Sequence, residues 1–148
     1  MSTLKKTVGV AAGLAVAATA AATLAPAPAH AASLNFPVYV SGCGGGQACP
    51  KGAEFPVFTG GALRVQFISS PKHCSTIVAK IAVDNRPVVR TLVKPGQPTA
   101  ARFLMVPAGT HKVRVTALGV PGGCNKGALS SWGGTLAVQT DLDALMAS

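Results

Sequence analysis

The sequence is short of acid. Four Asp and Glu residues stand against thirteen Lys and Arg, and the four (Glu54, Asp84, Asp141 and Asp143) offer no pair of buried carboxylates for glycoside hydrolysis. Aromatics are scarce as well: one Trp, one Tyr and five Phe. They cannot supply the row of stacking rings expected of a glycan or single-strand binder. No CxxC or HxxxH spacing marks a zinc site, and His73 beside Cys74 is the only hint of one. No GxSxG elbow supports the triad that Ser69, His111 and Asp84 would form on paper. His111 reads better as a side chain bracing a turn, and Asp84 as a turn residue bonding its own backbone. Beyond residue 32 there is neither an amphipathic helix nor a repeat. An enzyme is not expected, and neither is a cofactor or a metal.

The N-terminus carries the marks of an export signal. Lys5 and Lys6 precede an apolar run over 8–24, Pro26 and Pro28 break it, and Ala29-His30-Ala31 gives a small-x-small cleavage pattern. A signal peptide over 1–32 is expected, with no lipobox cysteine behind it. A retained anchor fits less well, because the run is diluted by alanine and short for a span of about 20 residues. The protein is thus expected to be secreted and free of the membrane after cleavage. Losing Lys5 and Lys6 leaves +7 of the +9 charge.

Cys43, Cys49, Cys74 and Cys124 all follow that signal. An even count in a small exported domain predicts two disulfides, with three connectivities open. Gly44-Gly45-Gly46 can bend back freely between the first two cysteines. This favours Cys43–Cys49, leaving Cys74–Cys124 to tie distant segments together.

Period-two alternation runs through the rest. Leu34, Phe36, Val38 and Val40 share one side of 33–40, where Pro37 allows only an edge strand or an extended arm. Leu63, Val65 and Phe67 oppose Arg64, Gln66 and Ile68. Ile77, Ala79, Ile81 and Val83 oppose Val78, Lys80 and Ala82, ahead of a hairpin turn at Asp84-Asn85-Arg86-Pro87 and a strand over 88–93. Over 101–120, two β-rich runs flank Pro107-Ala108-Gly109-Thr110 and read as a half-buried hairpin with Lys112, Arg114 and Thr116 outward. A last strand covers 135–140. Short strands at intervals of about 8–12 residues predict an all-β, disulfide-stapled, Ig-like β-sandwich. It would occupy 53–148, behind an extended arm and stapled loop over 33–52.

The block Ile81-Ala82-Val83-Asp84-Asn85 … Val106-Pro107-Ala108-Gly109-Thr110-His111-Lys112-Val113-Arg114-Val115 resembles small bacterial Ig-like and PEGA-type β-domains. Asn85-Arg86 stands where those families usually have Asp-Gly. The resemblance implies a display or binding scaffold without catalytic residues. In layout, a cysteine-containing arm ahead of one β-sandwich, the chain is also similar to the bridging subunit of Streptomyces umbrella toxin particles. That likeness implies an arm, Leu34 to Pro50 here, that engages one partner while the body engages another.

The expected function is a secreted, non-enzymatic protein-interaction module, an adaptor subunit of an extracellular assembly such as a toxin particle. Its candidate partner-binding residues are Leu34, Phe36, Val38, Tyr39 and Val40 of the arm, with Trp132 as an anchor or sugar platform. Trp132 has a second reading, as the large plug of the core. Two alternatives stand beside the adaptor. One is a hydrolase inhibitor presenting the Cys43–Cys49 loop. The other is a cell-wall or glycan binder using Trp132 and the dispersed cations. Another secreted protein is the expected partner, and an anionic cell-wall polymer the second. Nucleic acid is not expected.

Overall fold

A computed structural model describes residues 32–141, so that the expected signal segment (Ala32 apart) and the tail beyond Asp141 lie outside the described residues. The strands are β1 (Ser33–Ser41), β2 (Ala53–Thr59), β3 (Ala62–Ser69), β4 (Ile77–Val83), β5 (Arg86–Val93), β6 (Arg102–Met105), β7 (Gly109–Gly119), β8 (Pro121–Gly122), β9 (Asn125–Lys126) and β10 (Ser131–Thr140). They form two four-stranded antiparallel sheets, β1-β10-β3-β6 and β2-β7-β4-β5, with β8 and β9 as a small separate ribbon. No helix occurs among the described residues. The all-β sandwich and both disulfides, Cys43–Cys49 and Cys74–Cys124, are as the sequence predicts.

The alternation places the core. Leu63, Val65 and Phe67 of β3, Ile77, Ala79 and Ile81 of β4, and Val113, Val115 and Ala117 of β7 are buried, each with polar or partly exposed neighbours between. Each fully buried Val, Leu, Ile or Phe side chain contributes roughly 1.5–3 kcal/mol of transfer free energy. Trp132 is the largest of the core side chains, 2% exposed, and meets Phe67 edge to face at 6.0 Å between ring centres. Phe36 and Phe55 stack at 4.6 Å and join β1 to β2 across the two sheets.

Among the eight long strands only β4 and β5 form a hairpin within one sheet. Asp84 and Asn85 supply its two-residue turn at φ +48° and +65°, the doubly left-handed geometry that suits the twist of a hairpin and that Asp and Asn tolerate best. β5 therefore begins at Arg86 rather than Val88, and Pro87 is accommodated because β5 is an edge strand with a register shift beside it. Every other connection crosses between the sheets, which is the strand order of a jelly roll.

That crossing corrects one expectation. The segments either side of Pro107 do not pair with each other. β6 pairs with β3 in the first sheet, whereas β7 lies between β2 and β4 in the second. Pro107 and Gly109 make the turn a bridge over the end of the sandwich. The period-two pattern fixed which way side chains point, but pattern carries no information about which strand lies alongside.

Of the two readings of 33–40, the structure shows the edge strand. β1 lies antiparallel to β10 over nine residue pairs, from Ser33 opposite Gln139 to Ser41 opposite Ser131. Pro37 stands in this outer strand, where a missing N–H leaves the ladder intact and blunts the free edge.

Candidate functional site

Four crossings gather at one end of the sandwich: the segments 42–52, 70–76, 94–101 and 120–130. Both disulfides are there. Cys43–Cys49 closes the first crossing on itself, and Cys74–Cys124 ties the second to the β8–β9 ribbon. The stapled loop is also clamped through its backbone. Cys43 and Gly45 donate to the carbonyls of Ser130 and Leu129, and the Gln47 carbonyl accepts from Gly119 at 2.7 Å. Both flanks of this loop are thus committed to the protein's own chain.

Between the first, second and fourth of these crossings lies a cleft of about 850 Å³, with Tyr39, Ser69, His73, Lys72, Lys126 and Trp132 among its lining residues. Tyr39 is the exposed rim, 79% accessible. It stands opposite Gly133, where an added Cβ would lie 2.6 Å from the Val38 carbonyl and 3.7 Å from the Tyr39 ring. Only glycine allows so close an approach of β1 and β10 at this point. His73 Nε2 accepts a hydrogen bond from Gly133 N–H at 3.0 Å. Partial burial holds the His73 pKa below its ordinary 6.5, so this ring is a neutral acceptor at physiological pH.

Two atoms of the cleft residues stand out. Ser69 Oγ and Trp132 Nε1 are both buried, and neither has a hydrogen-bond partner among the described residues. An unpaired buried donor costs roughly 1–3 kcal/mol, and two at one cleft are unusual. Both atoms are closed to solvent, whereas the cations Lys72 and Lys126 on the cleft wall are exposed.

The expected site residues are thus divided. Tyr39 faces out, whereas Leu34 and Phe36 are half-buried against the core. Val38, Val40 and Trp132 do not belong to a partner surface. At 4%, 7% and 2% exposure they are core residues, because the inward parity of β1 and β10 carries them between the sheets. Ser69 and His73 had no place on the predicted surface. Ser69 was nevertheless legible, since it continues the inward series Leu63, Val65, Phe67 and sets a hydroxyl on an apolar face.

Ser69, His111 and Asp84 are not brought together. Ser69 lies in the cleft, and His111 is at the opposite end of the sandwich beside the β4–β5 turn. There His111 Nδ1 meets Asp84 Oδ2 at 2.6 Å and Nε2 meets the Pro107 carbonyl at 2.8 Å. Lys112 N–H donates to the other Asp84 oxygen at 2.9 Å. With an acceptor at each ring nitrogen, the doubly protonated imidazolium fits best. The Asp84 hydrogen bond raises the His111 pKa and the His111 hydrogen bond lowers that of Asp84. His111 is the turn brace that the sequence suggests. No group of three or more metal-ligating side chains occurs among the described residues.

No family model and no curated protein sequence matches the chain. Solved structures do. The chain is similar to a family 35 carbohydrate-binding module from Clostridium thermocellum, at 16% identity and TM-score 0.45, over 75% of this chain and 92% of that one. It is also similar to the ANX2 ectodomain from Arabidopsis thaliana, at 16% identity and TM-score 0.39, over 61% of this chain. A further similarity is to a protein of the T13 IBDV viral particle, at 15% identity and TM-score 0.32, over 76% of this chain. The chain spans 28% and 31% of the latter two.

Proposed function

We propose that the protein is a secreted, non-enzymatic interaction module, an adaptor subunit that holds another exported protein at its stapled end. The observation that carries this reading is the cleft of about 850 Å³ at the doubly stapled end, rimmed by the exposed Tyr39. A segment of a partner laid against Tyr39 covers the mouth of the cleft, and the two disulfides keep the rim ordered before binding. A rigid rim lowers the entropy cost of association, and an exposed Tyr at its edge is a residue type enriched at interface anchors. The free edge of β1 is the weaker route, because Pro37 interrupts its row of donors.

The test is affinity capture from native culture supernatant with the tagged protein, its Tyr39→Ala variant and its Phe58→Ala variant. Phe58 is 70% exposed at the far end of the sandwich and serves as the control. The expected result is a stoichiometric protein partner that Phe58→Ala retains and Tyr39→Ala loses. Recovery of the monomer alone, or equal recovery by all three, overturns the adaptor reading. Tyr39-dependent binding to a glycan panel with no captured protein would favour a carbohydrate ligand instead.

A further inference from the structure

The two disulfides differ in what surrounds them. Cys43 and Cys49 are buried, and the backbone holds their loop a second time. Cys43 N–H donates to the Ser130 carbonyl at 3.1 Å and Cys49 N–H to the Ala117 carbonyl at 3.4 Å. Cys74 and Cys124 are both exposed, and both line the cleft. Among the described residues no backbone hydrogen bond joins the β8–β9 ribbon to the 70–76 crossing. The ribbon's own ladder is two residue pairs long, Pro121 with Lys126 and Gly122 with Asn125. The covalent bridge is thus what ties these two walls of the cleft together.

The charge about the second bridge has one sign. Lys72 stands two residues before Cys74 and Lys126 two after Cys124, both exposed on the cleft wall. Lys94 shares a smaller hollow beside the ribbon with Cys74 and Gly123. No acid lines either hollow. Asp84, Asp141 and Glu54 are engaged elsewhere, with His111, the Gly60 N–H and Lys112. In thiol–disulfide exchange a thiolate attacks one sulfur and a second thiolate departs, so the incoming and the leaving groups are both anions. Exposure admits the first, and neighbouring cations attract the one and stabilise the other. At Cys43–Cys49 burial denies the approach.

We infer that Cys74–Cys124 is an exchange site for small anionic thiols, and that its opening releases the ribbon from the 70–76 wall of the cleft. The incoming thiolate sulfur bonds to one cysteine sulfur as the Cys74–Cys124 bond breaks. The electron pair of that bond leaves on the other cysteine sulfur, which takes a proton from water. A second thiolate then displaces the first cysteine from the mixed disulfide. Two thiols are oxidised to one disulfide, and the bridge is reduced to two cysteine thiols. The concave wall on which both cysteines lie suits a small reagent. This inference is independent of what the cleft holds.

The test treats the purified protein, under native conditions and at low salt, with mercaptoethanesulfonate or with cysteamine at equal thiolate concentration. Timed alkylation and mass mapping then follow the four cysteines. Cys74 and Cys124 should be labelled while Cys43 and Cys49 stay bridged, and the anionic thiol should react about tenfold faster than the cationic one. Lys72→Gln with Lys126→Gln should remove most of that preference. Lys80→Gln with Arg90→Gln takes the same charge from a cross-strand pair on β4 and β5 and should keep it. Hydrogen exchange of the opened protein should quicken over 121–126 and stay slow across the β1–β10 pairs. The inference is overturned if Cys43–Cys49 opens first or together with the other bridge, or if the cationic thiol reacts as fast. Equal loss of preference in the two double variants, or equal quickening at the ribbon and at β1–β10, overturns it as well.

Discussion

Replacing Asp84 with asparagine removes one charge and little else. Asn tolerates the left-handed backbone of the turn as well as Asp does, and it keeps an oxygen for Lys112 N–H. What it loses is the charged partner of His111. A charge-assisted hydrogen bond contributes about 1.5–3 kcal/mol. Asp84 is 48% exposed, and solvent screening brings the expected loss down to about 1–2 kcal/mol. In a domain of this size that is a melting-temperature difference of about 4–8 °C.

The difference depends on pH, with a sign the two shifts determine. The His111 pKa is raised above 6.5, so its contribution is complete below 6.5 and disappears as pH climbs through the raised value. The Asp84 pKa is lowered from 3.8, so its contribution is complete above 3.8 and disappears as pH falls through the lowered value. The pair thus stabilises most between about pH 4 and 6. At higher pH one ring nitrogen loses its proton and turns a lone pair toward either Asp84 or Pro107. Thermal melting of parent and Asp84→Asn at about pH 5.5 and 8.5 should show a gap that at least halves at the higher pH. His73 titrates with the opposite sign, but it is common to both proteins and cancels in the difference. An equal gap at both pH values would refute the reasoning.

Two further predictions concern the stapled end. Ser69→Ala should leave the melting temperature unchanged or raise it, because the hydroxyl is buried without a partner; a loss above about 1 kcal/mol would show that Oγ is bonded. Converting Cys74 and Cys124 to serine should cost about 4 kcal/mol, and converting Cys43 and Cys49 about 2, since the loops they close are 50 and 6 residues in sequence separation. Urea denaturation of the two variants gives the order directly, and the reverse order would mean that loop closure is not what the bridges contribute.

The sequence carried the layers of this fold more completely than its neighbour relations. Parity along β3, β4 and β7 placed Leu63, Ile81 and Val115 in the core, because side-chain direction in a strand is a local property. Strand partners depend on contacts distant in sequence, which is why the segments about Pro107 read as a hairpin and proved to belong to different sheets. The site follows the same division. Tyr39 outward and Ser69 inward were both legible by counting in twos. That His73 meets the Gly133 N–H, or that Lys80 faces Arg90, depends on register, and nothing in the composition states it. Trp132 had two readings, and the wide space between two sheets settled it as core.

The pairing of β1 with β10 has a consequence for how the molecule comes into being. Among the described residues, β1 has no neighbour in its own sheet until β10 exists, as Ser33 waits for Gln139. Most other contacts also join distant parts of the chain, the topology that folds slowly. Such a chain stays open while β10 is still unmade. Closure of the first sheet therefore reports that everything from β1 to β10 has been made.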